Sequence, residues 1–192
     1  MNKDLWSSEN VQNEILKVIK LLNERLNSNS SFSELLNVNN NFIFMKADRL
    51  TLIYMKLDEI INEISNRDDD EEIYEYKNKI IDLIITLLIL ILINDRNNET
   101  TNLEDEKLNQ SLKNHLKEIG TLLIQKNRKY GNAALNPCRI FSKTNKVEQL
   151  LVRCDDKLNR IKNRQNDEDE DPIKDLIGYL ILILVCFNIE EK

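Results

Sequence analysis

Glycine and proline are scarce, three and two in 192 residues. So few chain breakers argue against a fold built from many tight turns and favour long helices. Histidine occurs once, at His115, and the three cysteines, Cys138, Cys154 and Cys186, form no CxxC pair. That set is too sparse for a zinc site or a disulfide framework, and the thiols are expected to be reduced, in or near a core. No GxGxxG, Walker-type or GxSxG signature is present. A net charge of −6 does not suit a protein that holds polymeric nucleic acid by neutralising phosphates. The opening MNKDLWSSENVQNE is too polar for a secretory signal, so a cytoplasmic location is expected. The densest apolar stretch, IIDLIITLLILILI, is uninterrupted for only about a dozen residues. That is short of the ~20 that span a bilayer, so no membrane partner is expected.

What is present is helical periodicity. Val11, Ile15, Val18, Leu22 and Leu26 form one stripe, with Ser7 or Ser8 available as a cap. Leu50, Ile53, Leu57, Ile60 and Ile64 form a second, predicting a helix over about 45–66. A third helix, about 72–93, is apolar on every side over its last turns, as is the similar stretch of a sixth, Pro172 to about Ile189, and both stretches are expected to be buried all round. Between them, Leu108, Leu112, Leu116, Ile119 and Leu123 stripe a fourth helix, about 104–128. Val147, Leu150, Cys154, Leu158 and Ile161 stripe a fifth, about 145–165. The chain is thus expected to be all-α, a bundle of about six helices.

The order helix, loop, helix, acidic run, all-apolar helix occurs twice. Leu21-Leu22 aligns with Leu122-Leu123 and Lys56-Leu57 with Lys157-Leu158 at an offset of 101. DLIITLLILIL (82–92) matches DLIGYLILILV (175–185) at an offset of 93. The expectation is two tandem three-helix halves forming a pseudo-dimer: 1–93, a linker 94–103, and 104–192. The two Asp-Leu-Ile helices are expected to lie adjacent and nearly antiparallel.

The second copy carries the charges. Arg153, Asp156 and Arg160 share one face of the fifth helix, with Lys157 beside them. Asp171 and Asp175 are four apart on the sixth, with Tyr179 one turn on. Like charges at that spacing repel unless a cation lies between them. Asp156 opposite Asp171 and Asp175 would suit Mg²⁺, with Lys126, Arg153, Lys157 and Arg160 on phosphates. The same charges also make an ordinary solvated face, Asp156 pairing with Arg160. Tyr130-Gly131 either ends the fourth helix, glycine in the left-handed cap, or presents Tyr130 to a nucleobase.

KNRKYGN, RCDDKLNRI and DEDPIKDLIGY together resemble the phage and bacterial nucleotide modification associated domain 1 family. That family looks like a branch of the all-α NTP pyrophosphatases, with MazG and the dimeric dUTPases. Lys126, Tyr130 and Gly131 fit its first segment. Arg153, Asp156, Lys157 and Arg160 fit the second, and Asp167, Asp171, Asp175 and Tyr179 the third. The resemblance implies Mg²⁺ held by Asp156, Asp171 and Asp175, which would also be the catalytic set. Lys126, Tyr130, Gly131, Arg153, Lys157, Arg160 and Tyr179 would bind the ligand. The reaction would be hydrolysis of a nucleoside triphosphate to monophosphate and pyrophosphate. Lys129 stands where the family has Asp, and Glu118 lacks the second glutamate of MazG proteins. In the first copy Met55 replaces Asp156, Asn29-Ser30 replaces Tyr130-Gly131 and Ile85-Thr86 replaces Gly178-Tyr179; Asp82 alone matches Asp175. Three functions stay open: the hydrolase, a non-catalytic phage-type protein sequestering a nucleotide or nucleotide-derived signal in the host cytoplasm, and a structural bundle. A nucleotide-class partner, no nucleic-acid polymer, and room for a homo-oligomer complete the expectation.

Overall fold

Several helix ends are closed by the residues at their boundaries. In the computed structural model, which describes residues 6–28, 49–66, 73–95, 105–136, 140–141, 143–163 and 171–190, six helices and no strand occur among the described residues. They are α1 (Ser8–Ser28), α2 (Arg49–Ser65), α3 (Ile73–Asp95), α4 (Asp105–Tyr130), α5 (Lys146–Lys162) and α6 (Pro172–Glu190). The chain is all-α, as its periodicity implies. The start of the predicted 45–66 helix, Asn29-Ser30, the first acidic run, the second as far as Glu170 (Asp167 with it), most of the 94–103 linker and Cys138 lie outside the described residues.

Ser7 caps α1 by accepting from the Asn10 N–H at 3.2 Å, and Asn145 caps α5 by accepting from the Glu148 N–H at 2.8 Å. Asp171 caps α6: its Oδ1 accepts from the N–H groups of Ile173 and Lys174 at 3.0 and 3.1 Å. Pro172 follows at the first helical position, where no N–H is needed. α4 ends at Tyr130 because Gly131 turns left-handed at φ 58°. The Asn132 N–H then reaches back to the Asn127 carbonyl at 3.3 Å, a Schellman closure.

The helices gather into two compact units, Met1–Lys20 with Lys117–Lys192, and Leu21–Leu116; α1 and α4 contribute to both. Within the second, α2 packs on α3. Asn109 Nδ2 donates to the Leu26 carbonyl at 3.0 Å, and His115 Nε2 lies 3.6 Å from Asp95 Oδ2. Within the first, α5 packs on α6. There Gly120 in mid-α4 lets Ile19 of α1 come close: a Cβ at Gly120 would meet Ile19 Cδ1 at 3.0 Å. Arg128 Nε donates to Gln12 Oε1 at 3.1 Å alongside.

The α1 stripe Val11, Ile15, Val18, Leu22 and Leu26 is fully buried. Burying such side chains contributes ~1.5–3 kcal/mol each before entropy. α3 is buried at every position from Leu83 to Ile93, and α6 at every position from Leu180 to Cys186. The polar exception in α3, Thr86, donates its hydroxyl to the Asp82 carbonyl at 2.8 Å and leaves nothing unsatisfied. α6, with a mean hydropathy of 1.8 over its most apolar window, meets the length and composition of a membrane span; 67% of that window is buried inside the protein. In α5 the buried positions are Lys146, Leu150, Cys154 and Lys157, whereas Val147, Leu158 and Ile161 are half-buried. The packed face is therefore turned by one residue from the purely apolar stripe, so two lysines lie inside.

Lys146 places its ammonium 3.2 Å from the centre of the Trp6 ring. Beside it, Asn132 at φ 61° donates to the Trp6 carbonyl at 3.1 Å and accepts from Asn127, which in turn accepts from Ser8 Oγ. This network ties the start of α1 to the end of α4. Asn132→Ala removes two of its hydrogen bonds and should cost ~2 kcal/mol, lowering the melting temperature by roughly 4–8 °C. An unchanged melting curve would contradict the lock.

Cys154 and Cys186 are buried, and that burial pushes both thiols from 9.0 to about 12; Asp155 adds to the shift at Cys154 and Glu190 at Cys186. A thiol that ionises later when folded keeps its proton while the unfolded chain releases it. The stability this contributes is complete below pH 9 and is lost as pH climbs towards 12. In a Cys138→Ser chain, Ellman's reagent at pH 8 should find almost no reactive thiol until denaturant is added. Fast reaction of the native protein would contradict the burial.

Candidate functional site

Two half-turns of charge face each other across α5 and α6. Arg153 and Lys157 are one turn apart on α5, and Asp175 and Tyr179 one turn apart on α6. Lys157 Nζ lies 3.2 Å from Asp175 Oδ2, and the Arg153 guanidinium lies over the Tyr179 ring at 5.8 Å. The later residue of one helix meets the earlier of the other, so the two run antiparallel. From α4, Lys126 Nζ reaches Asp175 Oδ1 at 3.1 Å. One carboxylate is thus shared by two ammonium groups on different helices.

Their exposures differ in a way that sets their energetics. The Lys157 side chain is 9% exposed, Asp175 19% and Lys126 49%. The inner pair is shielded from water and the outer one is not. Lys174 stands at the rim, 3.5 Å from Glu118 and 3.9 Å from Asp171. Arg153 is exposed and, among the described residues, has the tyrosine ring as its contact and no carboxylate.

The remaining sequence candidates fall at the edges. Asp156 is exposed on α5, and Arg160 is half-buried one turn further along. Asp171 uses Oδ1 on the α6 cap. Tyr130 is exposed, 5.4 Å from Lys129 Nζ, and Gly131 serves the left-handed helix end. Lys126, Arg153, Lys157, Asp175 and Tyr179 come together. Among the described residues no three His, Cys, Asp or Glu side chains form a group able to hold a metal ion. Asp175 already faces two ammoniums, which would repel a cation. The described side chains alone do not make a Mg²⁺ site; Asp167, which the resemblance adds, lies outside them.

A groove of about 60 Å³ opens beside the cluster, between α4 and α6. Ile119, Leu122, Leu123 and Gly178 line its apolar side, and Lys126, Lys174, Asp175 and Tyr179 its polar rim.

The Leu21–Leu116 unit contains a counterpart. Arg25 Nη2 lies 3.4 Å from Asp82 Oδ1. Arg25 precedes Lys126 by 101 residues and Asp82 precedes Asp175 by 93, the two repeat offsets. Lys56, matching Lys157, pairs instead with Glu59 of its own helix at 3.0 Å. The Arg25–Asp82 pair follows from the two offsets only once Asp175 is known to bind Lys126.

Asp175→Ala should destabilise the protein by ~2 kcal/mol, because it takes from Lys157 a carboxylate it meets away from water. Lys126→Ala should cost ~1 kcal/mol or less. A double-mutant cycle in urea should give a larger coupling for Asp175 with Lys157 than with Lys126; the reverse order would contradict the burial assignment. No family model, curated protein or solved structure matches this chain.

Proposed function

We propose that the chain binds a phosphate-bearing small molecule of the nucleotide class on the α4–α5–α6 face and retains it intact. The observation that carries this reading is Arg153, a guanidinium lying over Tyr179 without a carboxylate among the described residues. A planar donor fork steadied on an aromatic ring is suited to phosphate oxygens. Lys126 adds donors beyond the one it spends on Asp175. Lys157 anchors the carboxylate from below and fixes where the outer ammonium stands. The carboxylates support retention rather than turnover. Hydrolysis of the resemblance type needs acids gathered around Mg²⁺, and here Asp171 caps a helix while Asp175 binds lysines. Such a protein would act by sequestering a nucleotide or nucleotide-derived signal.

The test is incubation with a panel of nucleoside triphosphates and nucleotide-derived signals, with Mg²⁺ or with EDTA, followed by chromatography of bound and free fractions. Intact retained ligand in both conditions is expected. Release of monophosphate and pyrophosphate with Mg²⁺ alone would replace this reading with the hydrolase. Arg153→Ala should weaken the retained ligand about tenfold or more, and Lys107→Ala, in the Leu21–Leu116 unit, should leave it unchanged.

A further inference from the structure

We infer that Gly178 opens a slot for the flat, apolar part of the ligand, a nucleobase edge, beside the phosphate-binding cations; this deepens the nucleotide-binding reading and rests on it.

Gly178 is buried in the interior of α6, where glycine is less stable than alanine. Neither usual reason for a glycine applies. Its backbone is not left-handed, since Gly131 is the glycine at positive φ. Space does not require it either: a Cβ built at Gly178 finds Leu123 Cδ1 at 3.8 Å as its nearest neighbour, an ordinary contact. A methyl would fit, and the position stays empty.

The repeat shows what this position holds in the other copy. At the offset of 93, Gly178-Tyr179 corresponds to Ile85-Thr86 in α3. Ile85 is 2% exposed and Thr86 1%, so both are packed away. In α6 the branched side chain is replaced by hydrogen and the small hydroxyl by a half-buried aromatic ring. The two changes together make a gap next to a flat surface. The gap belongs to the groove of about 60 Å³ walled by Leu122 and Leu123. That is well below the roughly 300 Å³ or more of a pocket that encloses a whole small molecule, and suits a ring edge rather than a whole nucleoside. Lys126 and Lys174 stand at the same rim. A ligand with its ring edge at Gly178 would have its charged end at the lysines.

The slot predicts a separation of two affinities. Inorganic tripolyphosphate reports the cations alone; ATP, GTP, CTP and UTP report cations and slot. Titration calorimetry of the whole chain should find at least one nucleotide binding about tenfold tighter than tripolyphosphate. Gly178→Ala should fold with an equal or higher melting temperature, lose about threefold or more of nucleotide affinity, and bind tripolyphosphate as before. Gly178→Ile, which copies the first repeat, should remove most of the nucleotide margin. Equal binding of tripolyphosphate and every nucleotide, or a full margin retained in Gly178→Ala, overturns the slot and leaves the phosphate site standing. Binding of neither by the unaltered chain overturns both.

Discussion

A helix that is apolar around its whole circumference has no face to give to water, and α6 is such a helix from Leu180 to Cys186. Covering it fixes the setting of its first two turns, where the only charged residues are Lys174 and Asp175. Asp175 is drawn into a partly shielded place and requires a counter-charge there. Lys157 supplies it from within the packed face of α5, its methylene stem replacing an apolar side chain while the ammonium meets the carboxylate. That contact agrees with the α5–α6 register. The register brings Arg153 over Tyr179 a turn away and leaves Lys126 to close the outer side of Asp175.

The repeated pair divides architecture from addition. A base from the first helix of the copy meets the leading aspartate of the all-apolar helix in both: Arg25 with Asp82, Lys126 with Asp175. A contact formed at matching positions of both sequence copies points to architecture rather than to function. What one copy alone has, the inward Lys157, the Arg153–Tyr179 stack and the Gly178 gap, is left over after the architecture is explained. The functional reading uses those residues for that reason.

Much of this was legible in the sequence, and the misses have physical causes. Helices with strong periodicity, such as α1 with its five buried stripe positions, follow directly from spacing, because burial decides a helix face more strongly than local propensity. The all-round burial of α3 and α6 follows from their composition. The face of α5 was harder to read: a rule that counts only apolar residues assigns Val147 and Leu158 inward and passes over Lys146 and Lys157, whose stems bury while their charges find Trp6 and Asp175. Asp171 and Asp175, four apart, suggest a shared cation on charge alone. Pro172 was the available counter-signal, since an acid just before a proline at the first helical position is a helix cap. The Gly178 gap needed coordinates, because no spacing rule says whether a missing side chain leaves room or contact.

The central claim is that the Lys157–Asp175–Lys126 cluster with Arg153 is an anion-binding site and not only a structural clasp. The most direct measurement is nitrogen-15 NMR of the lysine ammonium and arginine guanidinium groups during titration with tripolyphosphate. The account predicts a resolved Lys157 ammonium signal, protected by its burial. Lys126 and the Arg153 side-chain signals should move together to saturation, while exposed lysines of the Leu21–Leu116 unit move only weakly. Uniform small shifts at every exposed lysine, with Arg153 no different from the rest, would contradict it and leave a helical bundle whose clasp serves the fold alone.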